Sequence, residues 1–191
     1  MKPMACSPDP TRSDAEQICL AIGQRAGNLF MTRQLWCSGA TLVVLNQALG
    51  GDLTEELAIR LAAGLGDGMG GSGCLCGAVS GGALALGLFL GTGRLSPGGD
   101  QRVLRATHRL HDRFKTVFGS TCCRVLKKKS MPGCRNQNEE CAGRTAKAAE
   151  LTAELILEQR PACIHQIDWK YLNQRDSMIG GRIKIIANQL L

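Results

Sequence analysis

The chain has 191 residues, of which 44% are hydrophobic and 20% are charged, and its formal net charge is +7. This balance is typical of a folded globular protein and excludes an intrinsically disordered chain, and the length suits one domain with or without an appendage. Aromatic residues make up only 4% of the chain, so stacking platforms for single-stranded nucleic acid are excluded as well. We therefore expect no nucleic-acid partner and a core built mainly from aliphatic and small side chains.

Ten cysteines are the most unusual feature of the composition. No apolar segment of the kind found in secretory signals follows the first residues, so we expect a cytoplasmic protein, in which thiols stay reduced. Many cysteines in such a chain indicate metal or redox chemistry more than structural disulfides. Cys6, Cys19 and Cys163 fit a simpler interpretation, in which cysteine serves as a small buried hydrophobic residue.

Hydrophobic periodicity predicts the first helices of the chain. One covers residues 13–29, and a second covers residues 35–49 and carries Cys37 in its first turn. A short amphipathic helix follows residue 52. Its predicted apolar face carries Leu57, Leu61 and Leu65.

Residues 68–93 hold no ionisable group except two cysteines. The segment is long enough to cross a bilayer, but glycine, serine and alanine dilute its hydropathy and no aromatic belt flanks it. We therefore predict a buried helix of a bundle and no membrane span. The spacings Gly77-x-x-x-Gly81 and Gly87-x-x-x-Gly91 allow neighbouring helices to approach closely.

Two further helices are predicted in the second half of the chain. Residues 100–118 place apolar side chains on one face and a stripe of arginines on the other, formed by Arg102, Arg105, Arg109 and Arg113. Such a stripe is more often a solvated helix face than a binding surface, although it would suit an acidic protein partner. Residues 139–160 form the last long helix, with Cys141 in its first turn and Pro161 at its end.

These elements predict an all-α fold, because no strand pattern of useful length precedes the tail. We expect a single-domain bundle of about five or six helices with a C-terminal appendage. The predicted organisation is an N-terminal tail over residues 1–12, a helical four-cysteine domain over residues 13–160, and a C-terminal extension over residues 161–191 that docks on the body or on a partner.

The glycine-rich stretch before Cys76, "GDGMGGSG", matches the letters of the dinucleotide-binding motif G-x-G-x-x-G. That motif must follow a strand and be followed by an acidic residue about twenty positions on, whereas here the preceding residues have a helical period and no such carboxylate occurs. We expect no nucleotide. The glycines instead deliver Cys76 to a helix start, where free N–H groups favour a thiolate and lower its pKa.

Four blocks of the sequence together resemble the C-GCAxxG-C-C family of redox-active proteins. They are "WCSGATLVVLNQAL", the glycine-rich stretch followed by "CGAVSGG", "FGSTCCRVL" and "ECAGRTAKAAELTAELILE". The resemblance covers roughly residues 35–158 and leaves out the first thirty residues and the tail.

The resemblance implies that the family's four cysteines fall on Cys37, Cys76, Cys123 and Cys141. Cys123 is preferred to its neighbour because the family block has Gly-Ser, two residues, Cys and then Arg. Three more cysteines have no counterpart in the family pattern, so an enlarged or a second thiol site remains an alternative. They are Cys74, Cys122 and Cys134.

The resemblance also implies redox activity, and a similar module in split-Soret cytochromes is associated with an iron–sulfur centre. Four thiolates suit an iron–sulfur cluster or a single metal ion, held by Cys37, Cys76, Cys123 and Cys141. No covalent haem is expected, because C-x-x-C-H does not occur. The leading hypothesis is therefore an electron-transfer or accessory protein for a redox partner or oxidoreductase, rather than a stand-alone enzyme.

Two alternatives remain at this point. In the first, the protein performs thiol–disulfide chemistry without metal: Cys76 attacks, and Cys74 or Cys123 resolves the mixed disulfide. In the second, the chain is a helical interaction module in which a metal or disulfide only holds the bundle together, and the arginine stripe docks an acidic redox partner.

Overall fold

The structure, a computed structural model, describes residues 12–94, 99–129, 134 and 136–177, without the side chains of residues 12 and 13. The described chain is mainly helical and contains no strand. The helices in chain order are α1 (Arg12–Met31), α2 (Cys37–Ala48), α3 (Glu55–Ala62), α4 (Gly66–Met69), α5 (Gly77–Leu90), α6 (Gln101–Phe118), α7 (Cys123–Lys127), α8 (Gln137–Gln159) and α9 (Trp169–Leu172). Six of them in the described residues, α1, α2, α3, α5, α6 and α8, have at least eight residues, so the predicted all-α bundle is confirmed.

Helix α2 lies at the centre of the bundle, because all of its residues except Gln47 are buried. Helices α1, α3, α5 and α8 pack around it, and α8 in turn lies along α1, α5 and α6. Helix α5, from the segment without charges, packs against α2, α6 and α8. Within the described residues, no helix combines the length and the hydropathy that a bilayer span requires.

Glycines on α5 explain how closely α2 and α5 approach. A Cβ at Gly77 would collide with the Cys37 sulfur, and one at Gly81 would collide with the Ser38 carbonyl oxygen. The close approach predicted from the first glycine pair is therefore present. At Gly87, in the second pair, a Cβ would meet no atom within 4 Å, so that residue mediates no helix contact.

Helix α3 turns a different face to the core than the sequence predicts. Its N-cap is Thr54, whose hydroxyl accepts a hydrogen bond from the Leu57 amide at 3.2 Å. The buried residues of the helix are Ala58 and Ala62, whereas Leu57 and Leu61 are exposed. The leucine-face prediction is wrong because α3 packs on α2 through its smallest side chains, which allow a closer approach than leucines would.

Two of the four arginines on α6 are held by α8. Arg109 forms an ion pair with Glu158 at 2.6 Å, and Arg113 pairs with Glu154 at 3.1 Å and with Glu158 at 3.0 Å. These pairs tie α6 to α8. The predicted stripe is therefore partly a helix–helix contact within the bundle.

The described part of the predicted C-terminal extension packs on the helices. The 3₁₀ segment Pro161–Gln166 contacts α8, and α9 contacts α1 and α2. The buried guanidinium of Arg25 on α1 forms an ion pair with Asp176 at 2.7 Å, and the Asp176 amide donates to Asn28 at 2.9 Å. Cys6 and residues 178–191 lie outside the described residues.

Candidate functional site

One cavity brings together the four cysteines that the family pattern selects. Cys37, Cys76, Cys123 and Cys141 all line it, and its volume is about 40 Å³. The remaining lining residues are apolar, polar or charged: Phe30, Trp36, Asp67, Leu126, Lys127, Arg144 and Thr145. Side chains from four segments that are distant in sequence thus meet at one point of the bundle.

Three of the four cysteines stand at helix starts. Cys37 is the first residue of α2, Cys76 is the N-cap of α5, and Cys123 is the first residue of α7. Cys141 differs from the prediction: because α8 already begins at Gln137, this cysteine lies beyond the first turn. The Asn136 side chain caps α8, and its oxygen accepts from two backbone amides at 3.1 Å.

The glycine-rich loop forms the wall of the cavity beside α7. The Cys76 amide donates to the Thr121 carbonyl at 2.8 Å, and the Arg124 amide donates to the Gly73 carbonyl at 3.0 Å. Gly68, with φ +72°, approaches Cys123 so closely that a Cβ would collide with that side chain. The loop follows α3 and the 3₁₀ segment Ala63–Leu65, so helix precedes it where a dinucleotide-binding motif requires a strand.

A buried cation lies against the thiols. The Arg144 side chain is 2% exposed, and its Nη1 lies 3.9 Å from the Cys141 sulfur. Its Nη2 donates to the Lys129 carbonyl at 2.9 Å and to Glu140 at 3.3 Å. Its Nε is buried without a hydrogen-bond partner in the described structure, which is an unusual arrangement for a charged group.

A second cation, Lys127, lines the same cavity and pairs with Asp67 of the glycine-rich loop. The sequence interpretation missed both Lys127 and Arg144. For Arg144 a signal existed, because Glu140 and Arg144 have the i,i+4 spacing of a helical ion pair and flank Cys141.

Burial raises the pKa of all four cavity thiols. For Cys76 it raises the pKa to about 12, and the nearby Cys37 and Cys123 add to the rise. The Ala78 and Val79 amides lower the pKa of Cys76, although its sulfur makes no full capping hydrogen bond. The prediction of a lowered pKa is wrong for the free thiol, because desolvation outweighs the helix-start amides.

The pKa of Cys141 is likewise raised by burial, and the neighbouring Arg144 is the largest opposing influence. The pKa values of Cys37 and Cys123 are also raised, mainly by burial, and the nearby Cys141 raises both further. The thiols therefore share one electrostatic environment, in which ionising one makes ionising the next harder.

The three extra cysteines do not line this cavity. Cys74 is exposed, and Cys122 and Cys134 are half-buried. The Cys122 thiol lies 3.2 Å from the Gly73 carbonyl oxygen. All cysteines within the described ranges are free thiols.

The four thiols share a cavity without forming a compact ligand shell. In the part of the chain that the structure describes, no group of three or more His, Cys, Asp or Glu side chains is arranged to hold one metal ion.

The fold and the site together define a helical-bundle protein with four cysteines around one cavity. The family model described as "Putative redox-active protein (C_GCAxxG_C_C)" matches residues 35–155. The chain belongs to this family, and the match includes all four cavity cysteines. No curated protein and no solved structure shows significant similarity to the chain.

Proposed function

We propose that Cys37, Cys76, Cys123 and Cys141 bind an iron–sulfur cluster and that the protein transfers electrons to or from a redox partner or serves as an accessory to an oxidoreductase. The observation that carries this proposal is the convergence of four thiols from four helices on one cavity. A bound cluster would supply one-electron redox chemistry, for which thiolates are the usual protein ligands.

The size of the cavity favours a cluster over a single ion. Its volume of about 40 Å³ is several times the room of about 10–15 Å³ that one water-sized sphere needs. Four sulfurs bonded directly to one ion would leave no such space between them, since a zinc–sulfur bond is only about 2.3 Å long. A single metal ion is therefore the second candidate.

The cations beside the thiols fit an anionic group. Four thiolates and the inorganic sulfides of a cluster together carry more negative charge than its iron ions neutralise, and the buried Arg144 guanidinium lies where it offsets that charge. Its Nε has no partner among the described residues and is a donor available to sulfur. Lys127 adds a second positive charge at the rim.

The basic surface outside the cavity supports an acidic redox partner. Arg124, Lys128 and Lys129 are exposed on and just after α7, the helix that carries Cys123. Charges of one sign beside a redox centre steer an oppositely charged protein toward it. The α6 arginines suit such a role less well, because two of them are engaged with α8.

Metal-free thiol–disulfide exchange is less well supported by the geometry. Cys76, the proposed attacking thiol, is only 6% exposed, and its pKa is raised to about 12. A thiol attacks as the thiolate and needs access to its target. Cys76 is therefore better suited to be a ligand than a free nucleophile.

The test is analysis of iron, acid-labile sulfide and zinc, with a visible spectrum, on protein purified without oxygen. We expect brown protein with iron and sulfide in near-equal amounts. Cys76→Ser should lose the colour and the iron, because it removes a ligand from the cavity.

Cys19→Ser is the matched control, because Cys19 is equally buried but lies outside the cavity. It should keep the full iron content. Protein with zinc and no iron would favour the single-ion alternative. Colourless protein free of both metals, before and after anaerobic reconstitution with iron and sulfide, would contradict the proposal.

A further inference from the structure

A larger cavity adjoins the four-cysteine cavity on the side of α1. Its volume is about 440 Å³, and it lies between the C-terminal end of α1, the loop into α2, and the beginning of α8. The residues that matter for its chemistry are Phe30, Arg33, Gln34, Trp36 and Asn138. This volume is in the range of small-molecule binding pockets, about 300–1,000 Å³, whereas the four-cysteine cavity is far too small.

Two aromatic residues separate the two cavities. Phe30 and Trp36 line both of them, so a molecule in the larger cavity would be one side chain away from the thiols. Trp36 is 62% exposed and is the most exposed large hydrophobic residue in the described chain. An indole left in water beside a cavity is a ready surface for a second ring, because offset stacking of aromatic rings is favourable.

The polar residues of the cavity indicate the charge of its occupant. Arg33 is exposed on the rim, and within the described residues its guanidinium pairs with no carboxylate. Gln34 and Asn138 supply amides, and none of the described residues that line the cavity is acidic. An unpaired guanidinium beside neutral amides suits a phosphate, sulfonate or carboxylate group, which it binds by charge-assisted hydrogen bonds.

We propose that this cavity binds a planar aromatic molecule that carries an anionic group, with the ring against Trp36 and Phe30 and the anion on Arg33. The site would place an aromatic ligand next to the four cysteines. The proposal does not depend on which group those cysteines bind, because neither Arg33 nor the amides belong to the four-cysteine cavity.

The test uses flavin mononucleotide and riboflavin, which share one ring system and differ by a phosphate. The chain has two tryptophans, so Trp169→Phe leaves Trp36 as the sole tryptophan reporter. Each flavin is titrated into cofactor-free protein while Trp36 fluorescence is recorded, and a parallel titration of free N-acetyltryptophanamide corrects for light absorbed by the flavin. We expect saturable quenching by flavin mononucleotide and weaker binding of riboflavin.

Arg33→Gln should weaken flavin mononucleotide binding about tenfold, the order expected for one charge-assisted contact at a rim, and should leave riboflavin binding unchanged. Arg60→Gln, on the exposed face of α3, should change neither. Far-ultraviolet circular dichroism of each variant verifies the helical fold.

Linear, non-saturable quenching would overturn the proposal, and so would equal affinity of the two flavins for the parent protein. An equal loss of affinity for flavin mononucleotide in Arg33→Gln and Arg60→Gln would also contradict the proposal, because binding would then depend only on the net charge of the protein. The iron content of the protein tests the proposed function separately, since this titration uses protein without cofactor.

Discussion

Cys76 and Cys19 are two buried thiols in different regions of the same bundle. Their exposed fractions are 6% and 4%, and burial raises the pKa of each to about 12. Their surroundings differ. Cys76 faces other thiols, whereas Cys19 lies beside a surface cleft where the carboxylates of Glu154 and Glu150 raise its pKa further.

The comparison shows that burial alone does not make a thiol site. A single thiol near carboxylates stays protonated and behaves as a small hydrophobic residue. Several thiols around one cavity, with Arg144 and Lys127 beside them, provide both the soft ligands and the positive charge that a bound metal group needs. Both regions hold cations as well as carboxylates, so the number of sulfurs around one cavity and the burial of Arg144 distinguish the two regions.

The largest expected effect comes from removing the cation of each region. Arg144→Met should lower the free energy of unfolding by about 3–5 kcal/mol, because it breaks the buried ion pair between Arg144 and Glu140. Arg113→Met, beside Cys19, should cost at most about 1 kcal/mol, because that pair is partly exposed to water. Denaturant unfolding of the metal-free variants measures both.

The double variant Arg144→Met/Glu140→Gln serves as the control and should recover part of the loss. In protein loaded with a cluster, Arg144→Met should also lower the reduction potential, because a positive charge favours the reduced, more negative form. Equal costs for Arg144→Met and Arg113→Met would remove the distinction between the two regions.

A smaller effect is expected from glycines that allow close packing. Gly77→Ala and Gly23→Ala should each lower stability by about 1–3 kcal/mol, because a Cβ would collide with the Cys37 sulfur in the first and would lie 2.8 Å from the Ala146 carbonyl oxygen in the second. Of these two variants only Gly77→Ala should also reduce the iron content expected from the proposed function, since Gly77, unlike Gly23, lies against a cavity thiol. Thermal unfolding and iron analysis check the pair.

Gly87→Ala is the matched control on the same helix as Gly77. A Cβ there meets nothing within 4 Å, so alanine should stabilise the protein by about 0.5–1 kcal/mol through helix propensity. If Gly77→Ala proved as harmless as Gly87→Ala, the close contact between α5 and Cys37 would be refuted.

The smallest effect near neutral pH is a difference in pH dependence, which develops only above pH 9.0. The Cys19 pKa is raised from 9.0 to about 12, so in this range the unfolded chain loses a proton that the folded chain keeps. Stability should therefore fall as pH rises through this window, by about 1.4 kcal/mol per pH unit for this one thiol. Cys19→Ala should flatten the fall by that amount, as measured by denaturant unfolding at successive pH values.

If the free energy of unfolding of Cys19→Ala differed from that of the parent protein by the same amount at every pH, the difference would reflect only the lost packing of the side chain. An unchanged slope would mean that Cys19 ionises at its ordinary pKa. Below pH 9 the slopes of the two proteins should coincide, because the thiol is protonated in both the folded and the unfolded states.

The longer helices were predictable from the sequence because their apolar residues have a helical period and glycines or Pro161 mark several ends, whereas the short helices α4, α7 and α9 were not predicted. The face that each helix buries was less predictable. On α3 the leucines predicted one buried face, but the structure buries Ala58 and Ala62 instead. The small alanine side chains, and not the more hydrophobic leucines, form the contact between α3 and its neighbour. The ion pairs of Arg109 and Arg113 depend on α8 lying beside α6, which no local pattern reveals.

The four cavity cysteines were selected through the family resemblance, not through their spacing. They come from four helices, and no local pattern such as C-x-x-C states their distance. Arg144 was missed for the same reason: its helical pairing with Glu140 is visible, but its burial against Cys141 requires the tertiary structure. The adjoining aromatic cavity was missed because Phe30 and Trp36 belong to different elements.

The distance in sequence between Cys37 and Cys141 has a consequence for folding of the protein. The helices α2, α5 and α7 all precede α8 in the chain, so the fourth thiol reaches the cavity only when α8 docks along α1 and α2. Contacts between residues so distant in sequence cost loop-closure entropy before they form. A ligand that needs all four sulfurs would thus bind only to chains in which α8 has docked, and a truncated chain lacking α8 would not retain it.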